Sequence, residues 1–206
     1  MIKINFVASN FLDANTYIVY DENSNEAVII DPGGEVGAIL QVINSKKLHP
    51  KFIMYTHLHF DHYSSGLELS EELEIPSYAN KLDMFLLERH IVEMYTMSKV
   101  ELPKIDGFFK DGDELKFENQ VIKVIHTPGH SFGSSCFFIT GHLFTGDTIL
   151  GKSNFYDHEK DNSSLLKSIM EKLLVLPENT IIYPGHGNLT TIKEEKQILL
   201  KLNLYQ

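Results

Sequence analysis

The stretch Thr56-His57-Leu58-His59-Phe60-Asp61-His62 places three histidines and one aspartate within six residues. Imidazole and carboxylate groups are the ligands that zinc and other divalent transition metals accept. If the backbone is extended, the spacing of two residues directs the rings of His57 and His59 to the same side. Asp61 and His62 follow on a turning segment, where they can face a second ion. The stretch therefore predicts a metal centre at the end of the apolar run Phe52–Tyr55.

Three other turns in the chain offer ligands of the same kind. Pro-Gly turns precede His130 and His186, and Asp147 follows the apolar run that ends at Phe144. In each case a predicted strand delivers the side chain to a point where glycine or proline turns the chain. Any one of these residues alone would most simply be a turn residue. Taken together, five histidines and two aspartates at predicted strand ends favour a site for two metal ions, formed by His57, His59, Asp61, His62, His130, Asp147 and His186.

The rest of the chain alternates between strand and helix patterns. Short β-branched and aromatic runs predict strands at Ile2–Val7, Thr16–Tyr20, Ala27–Ile30, Phe52–Thr56, Glu114–Phe117, Val121–His126, Ser135–Thr140 and His142–Thr145. Helical spacing predicts helices at Val36–Ser45, Ser163–Leu174 and Thr191–Leu204. The expected caps are Asp161 or Asn162 for the second helix and a capping box of Thr190/Thr191 with Glu194/Glu195 for the third. The economical architecture is two sheets between helical layers, in a single domain over residues 1–206.

One segment between the two halves has two interpretations. Leu82–Leu102 is rich in methionine and other large apolar residues. Such a segment predicts a helical hairpin packed on the core, and the alternative is the wall of a pocket or a subunit contact.

The composition excludes several classes of protein. With 43% hydrophobic and 22% charged residues, the chain is expected to be globular, and it has no apolar stretch near the roughly 20 residues of a membrane helix. The net charge of −10 disfavours nucleic-acid binding. The first residues lack the cationic and apolar pattern of a secretory signal, and the single cysteine, Cys136, lies in an apolar run that predicts a core position. A cytoplasmic protein is expected.

The motifs resemble those of the metallo-β-lactamase superfamily, and within it the small glyoxalase II-like hydrolases. The matching segments are Thr-His-Leu-His-Phe-Asp-His (56–62), His-Thr-Pro-Gly-His-Ser (126–131), Phe-Thr-Gly-Asp-Thr (144–148) and Tyr-Pro-Gly-His-Gly (183–187), with Asn15-Thr16-Tyr17 and Ile30-Asp31-Pro32-Gly33 also similar. The resemblance implies an α+β fold, a four-layer αββα sandwich of two mixed sheets flanked by helices. It implies that one metal ion is held by His57, His59 and His130, that the other is held by Asp61, His62 and His186, and that Asp147 bridges them. His126 matches a position that is not a ligand, and we expect it to satisfy a buried hydrogen bond or to support the residues around the ligands.

The ligand set predicts hydrolysis. Two divalent ions with two carboxylates leave a positively charged site, and coordination lowers the pKa of water from about 15.7 toward 7. We expect a metal-bridging hydroxide to cleave a small thioester similar to a hydroxyacyl-glutathione, with Asp61 as the catalytic residue that orients the hydroxide or relays its proton. Zinc is the expected ion, and iron and manganese are alternatives.

The substrate is less well specified than the reaction. The longer glyoxalase II enzymes have a C-terminal helical extension that contacts glutathione, whereas this sequence continues for only twenty residues after His186. Many relatives also have a Gly-Arg-x-Asp segment where this chain has Gly151-Lys152-Ser153. Lys152 is therefore the candidate for binding an anionic substrate, and a solvated loop lysine is the alternative.

Three other functions are alternatives to a thioester hydrolase. A mononuclear iron persulfide dioxygenase shares the His-x-His-x-Asp-His motif. A phosphodiesterase or nuclease is disfavoured by the acidic charge, and a non-catalytic binding protein is disfavoured by the intact ligand set. The expected partner is a small-molecule substrate, with no nucleic acid and no membrane, and the oligomeric state is left open.

Overall fold

The computed structural model describes residues 1–9, 13–88, 101–151 and 162–202. The chain divides into two compact units, Met1–Phe109 (unit 1) and Lys110–Gln206 (unit 2). Each unit contains one six-stranded sheet with both parallel and antiparallel neighbours. The predicted α+β class with two mixed sheets is confirmed.

Unit 1 is built on a sheet with its strands in sequence order. The strands are β1 (Ile2–Ala8), β2 (Asn15–Asp21), β3 (Glu26–Ile30), β4 (His49–Met54), β5 (Ser77–Asn80) and β6 (Gly107–Phe109). The helices are α1 (Val36–Lys46), α2 (Phe60–Tyr63), α3 (Gly66–Glu72) and a 3₁₀ helix (Lys81–Leu87). The first three strands form an antiparallel meander, and β3 to β6 pair in parallel, with α1 crossing from β3 to β4.

One face of the unit 1 sheet packs on its helices. Ile39 and Ile43 of α1 are one helical turn apart and are buried against Ile29 and Ile53 of the sheet. Burial of each such side chain contributes about 1.5–3 kcal/mol. This packing fixes the ends of β3 and β4, from which the candidate site begins.

Unit 2 has the strand order β12-β11-β10-β9-β8-β7. The strands are β7 (Glu114–Phe117), β8 (Gln120–His126), β9 (Ser135–Ile139), β10 (His142–Gly146), β11 (Ile181–Pro184) and β12 (Thr190–Thr191), and the helices are α4 (Ser163–Ser168), a π-helical turn (Ile169–Leu173) and α5 (Ile192–Lys201). β10 and β11 are parallel, whereas the other neighbours are antiparallel. Its core includes Cys136, which is fully buried as predicted.

The predicted elements are mostly confirmed, with differences at their ends. All eight predicted strands are present, although β4 ends at Met54 and leaves Thr56 on the following loop. Two of the predicted helix N-caps are also present. The Asn162 side chain accepts a hydrogen bond from Leu165 N at the start of α4, and the Thr191 side chain accepts one from Glu194 N at the start of α5. In place of one α-helix over Ser163–Leu174, the structure has α4 followed by the π-helical turn.

Other predictions fall partly or wholly on residues that the structure leaves undescribed. The segment predicted as a helical hairpin contributes the 3₁₀ helix, and residues 89–100 lie outside the described ranges. The same is true of Lys152 and of Asp161. Among the helices in the described ranges, none has the length and apolar character needed to cross a membrane.

Candidate metal centre

The candidate site of unit 1 starts from two neighbouring parallel strands. Ile30 at the end of β3 is paired with Met54 at the end of β4. The residues that follow each strand, Asp31 and Thr56, therefore lie side by side at the same edge of the sheet. The backbone N–H of Thr56 donates to Asp31 Oδ1 at 2.7 Å, and its hydroxyl donates to Asp31 Oδ2 at 2.5 Å. A buried carboxylate thus holds the start of the histidine stretch.

This carboxylate also orients two of the histidines. His62 Nδ1 donates to Asp31 Oδ2 at 3.0 Å, because a carboxylate can only accept. The single proton of the Thr56 hydroxyl is given to Asp31, so the Thr56 oxygen accepts from His57 Nδ1 at 3.1 Å. Both rings are therefore protonated at Nδ1 and present the lone pair of Nε2 for coordination. A carboxylate behind a metal-binding histidine typically fixes the tautomer in this way.

The predicted ligands of unit 1 lie close together. We call His57, His59, Asp61 and His62 the first ligand group. The ring centroid of His57 lies 4.6 Å from that of His59 and 4.1 Å from that of His62. Asp61 Oδ2 lies 3.6 Å from His62 Nε2. His57 and His62 are buried, and the Asp61 side chain keeps 16% of its surface exposed.

A tight turn after β3 packs against α2, the short helix that carries Asp61 and His62 of the first ligand group. Asp31 has a left-handed backbone (φ 50°), which a short polar residue tolerates. The Thr16 hydroxyl donates to the Asp31 carbonyl at 2.8 Å and accepts from Gly33 N at 3.1 Å. A Cβ at Gly33 would lie 1.5 Å from the carbonyl oxygen of Asp61. Glycine is required at Gly33 because the turn and α2 approach more closely than a side chain allows.

The predicted ligands of unit 2 converge on one carboxylate. We call His130, Asp147 and His186 the second ligand group. Asp147 Oδ2 lies 3.4 Å from His130 Nε2 and 3.7 Å from His186 Nε2. Asp147 follows β10 and His186 follows β11, and these strands are parallel neighbours, so their ends meet at the same sheet edge. The resemblance assigns the two histidines to different ions, and an oxygen that faces both is compatible with the bridging role expected for Asp147.

The loop that presents His130 is held by many hydrogen bonds. His126 Nε2 donates to the Phe132 carbonyl at 2.8 Å, and this hydrogen bond is exposed, so it fits the supporting role expected for His126 and not the buried alternative. Asn162 Nδ2 donates to the Gly129 carbonyl at 3.1 Å. Gly129 has a positive φ of 149°, and a Cβ there would lie 2.4 Å from the Cα of Leu165. These contacts fix the backbone on both sides of His130.

The donor sets fit divalent metal ions. Ligands bound at about 2.0–2.2 Å in a tetrahedral arrangement lie roughly 3.3–3.5 Å from one another. The nitrogen–oxygen distances of 3.4 and 3.7 Å around Asp147, and of 3.6 Å between Asp61 and His62, are close to this spacing. They are longer than ordinary hydrogen bonds. The His130 and His186 side chains are 21% and 25% exposed, which suits a catalytic site with an open position better than a closed structural site.

Asp31, His57 and His62 also form a buried group of three potential ligands. The Asp31 oxygens already accept from the Thr56 backbone, the Thr56 hydroxyl and His62. Asp31 is therefore an orienting group, not a ligand. Sequence reasoning gave the segment around Asp31 no role in the metal centre. The available signal was a short acidic residue directly after a buried strand, Ala27–Ile30, that precedes the histidine-bearing strand in the chain.

Two further histidines among the described residues, His49 and His142, belong to neither ligand group. His49 is exposed on β4, and His142 Nδ1 lies 3.0 Å from the Tyr183 hydroxyl. Burial lowers the pKa of His142 below its usual 6.5 and raises the pKa of Tyr183 above 10.0. His90 and His158 lie outside the described residues.

Comparison with known proteins extends over nearly the whole chain. Residues 9–186 match the family model of the metallo-β-lactamase superfamily. Hydroxyacylglutathione hydrolase GloC of Haemophilus influenzae is 32% identical to this chain in an alignment that covers 95% of this chain and 96% of the relative.

Solved structures give the same picture. The B3 metallo-β-lactamase BLEG-1 aligns with a TM-score of 0.84 and 30% identity, covering 95% of this chain and 97% of that one. The di-iron-bound form of TTHA1623 aligns with a TM-score of 0.76 and 28% identity, covering 93% of this chain and 96% of that one. The fold predicted from the sequence is confirmed.

Proposed function

This chain belongs to the metallo-β-lactamase superfamily, and on that premise we propose that it is a metal-dependent hydrolase that cleaves a small thioester. The observation that carries the proposal is the position of Asp147, whose Oδ2 faces both His130 and His186 at 3.4 and 3.7 Å. A carboxylate shared by two histidines suits a two-metal centre. The partial exposure of both histidines suits a centre that is open to a substrate.

We propose that the two ligand groups hold two divalent ions. His57, His59 and His130 would hold one, Asp61, His62 and His186 would hold the other, and Asp147 would bridge them. When bound, such ions supply Lewis acidity and a low pKa for coordinated water. The protein's contribution is to fix the coordinating atoms in advance, as Asp31 does for His57 and His62.

Asp61 is the proposed catalytic residue among these ligands. Its carboxylate is 16% exposed, while the neighbouring His62 is fully buried. The carboxylate can therefore contact both the reacting group and solvent, as a group that orients a nucleophile and accepts its proton must. His62 is less suited to this role, because it is fully buried and its Nε2 lone pair is the one proposed to coordinate a metal ion.

The thioester assignment is supported by a relative. Hydroxyacylglutathione hydrolase GloC of Haemophilus influenzae is similar to this chain over almost its full length. A small acyl-thiol substrate is therefore proposed, and Lys152 stays the candidate for contacting an anionic part of it. Zinc is the proposed ion, although TTHA1623, a structure of similar fold, binds two irons.

Elemental analysis and a thioester assay on the same preparation test the proposal. Protein purified without added metal is expected to contain two equivalents of a divalent metal and to release free thiol from a hydroxyacyl-glutathione. Chelation should remove both the metal and the activity, and restoring the metal should restore turnover. Undiminished thiol release by fully chelated protein would refute the proposal. One iron per chain with oxygen consumption on a persulfide would replace it with the dioxygenase alternative.

A further inference from the structure

A second carboxylate contacts the histidine stretch from inside unit 1. Asp83 lies on the 3₁₀ helix Lys81–Leu87 and has no exposed surface. The helix begins at Asn80, whose side chain accepts from Leu82 N at 3.1 Å. It ends at Leu87, which belongs to the same buried cluster as Leu58. The position of Asp83 is thus fixed at both ends of its helix.

Asp83 contacts the peptide that joins two predicted ligands. The backbone N–H of Leu58 donates to Asp83 Oδ2 at 3.3 Å. Leu58 stands between His57 and His59, and its side chain is 1% exposed in the core. The core therefore holds the side chain of this residue while Asp83 holds its backbone. Rotation of the peptide about this point would turn both imidazoles.

A buried carboxylate is an unfavourable choice for packing alone. Removing an ionised group from water is costly unless it is paired, and an apolar residue of similar size is often no less stable. Asp83 is therefore better explained by its polar contacts, of which the hydrogen bond from the Leu58 amide is one, than by core packing. The stretch then has two buried carboxylate supports, Asp31 at Thr56 and Asp83 at Leu58.

We propose that Asp83 is a positioning residue of the metal centre, which fixes the Leu58 peptide and with it the directions of His57 and His59. The inference rests on the proposed role of these histidines as ligands. Supports of metal ligands typically change metal affinity 10–100-fold when they are removed.

The test compares Asp83→Ala, which removes the acceptor, with Asp83→Asn, which keeps an acceptor oxygen. We expect D83A to weaken Co²⁺ binding roughly 10–100-fold, with a changed absorption spectrum of the bound ion. D83N should rescue affinity to within about threefold of the wild type. In the metal-free protein, exchange of the Leu58 amide hydrogen should be faster in D83A and unchanged in D83N. If D83A does not fold, Asp83→Leu removes the acceptor without leaving a cavity and takes its place.

The control is Asp106→Ala. Asp106 is an exposed carboxylate of the same unit that accepts from the backbone of Ser77 at 3.0 Å and pairs with Lys104 at 2.6 Å. D106A is expected to lower the melting temperature and to leave Co²⁺ affinity unchanged. Equal Co²⁺ affinities in wild type and the acceptor-free variant would overturn the inference alone. A wild-type protein without Co²⁺ binding would overturn the proposed function and the inference together.

Discussion

The two ligand groups obtain similar coordinating atoms by different means. In unit 1, the ligands are neighbours in the chain, and Asp31 supports His57 and His62 through hydrogen bonds to their Nδ1 side. In unit 2, the ligands are far apart in the chain, and the ends of parallel strands bring Asp147 and His186 together. The first group depends on buried carboxylates and the second on strand pairing and turns.

This difference predicts how each ligand group responds to an amino-acid substitution. A dense motif shares its supports, so a single backbone displacement moves several ligands at once. The ligands of unit 2 lie on separate turns. The contact that they share is the Asp147 carboxylate, which faces both histidines. The vulnerable point of unit 1 is therefore its backbone, and that of unit 2 is one side chain.

Asp147→Ala should have the largest effect, because it removes the shared carboxylate of the second ligand group. We expect metal affinity to fall at least about 100-fold, as for loss of a ligand and its charge, and elemental analysis to find less than half of the wild-type metal. Circular dichroism should show a folded protein. The control, Asp113→Ala, removes a carboxylate that accepts from Lys110 N on a β-turn of the same unit. Wild-type metal content in D147A would show that unit 2 does not depend on this side chain.

Gly33→Ala should have the next largest effect, and it acts on the backbone of unit 1. The new Cβ would lie 1.5 Å from the Asp61 carbonyl oxygen, so α2 must shift. We expect the free energy of unfolding, measured by urea denaturation, to fall by about 3 kcal/mol.

The control for this change is Gly37→Ala on α1, where a Cβ meets no atom within 4 Å. Alanine favours a helix over glycine by up to about 1 kcal/mol, so G37A should be neutral or stabilising. If G33A were as stable as G37A, the turn after β3 would not approach α2 as closely as described. Unit 1 would then tolerate a displacement of its backbone at this position.

His142→Gln should have the smallest effect, and it separates the acid sensitivity of unit 2 from that of the ligands. Burial lowers the pKa of His142 below 6.5, so the unfolded chain takes up a proton before the native protein does as the pH falls. Stability from this residue is therefore present above about pH 6.5 and lost as the pH falls toward the folded pKa. Thermal unfolding between pH 7.5 and 5.5 should show a shallower decline in H142Q than in wild type. Parallel curves for H142Q and the wild type would contradict this.

The sequence predicted the elements whose signals are local. Short β-branched and aromatic runs located β4, β8 and β10, which lead to predicted ligands, and the spacing of Ile39 and Ile43 located α1. The density of the motif around His57 was enough to predict a metal centre. The fold was predicted because these local signals occur in the order shared by a known family.

The supports of the site were not predicted, because they depend on contacts between distant residues. Asp31 and His62 are 31 positions apart, and no periodicity links them. Asp83 and Leu58 are 25 positions apart and meet only after the 3₁₀ helix packs on the core. The π-helical turn at Ile169–Leu173 also has no local signal, since its apolar spacing also fits an α-helix.

The parallel pairing of β3 with β4 has a consequence for how the protein matures. Until Ile30 lies beside Met54, Asp31 cannot reach Thr56 or His62, and neither imidazole has a defined tautomer. The orientation of these two rings is therefore complete only after this crossover has formed. Binding of the proposed metal ions would then follow folding of unit 1, and protein made under metal starvation is expected to be folded and to bind metal when it is supplied.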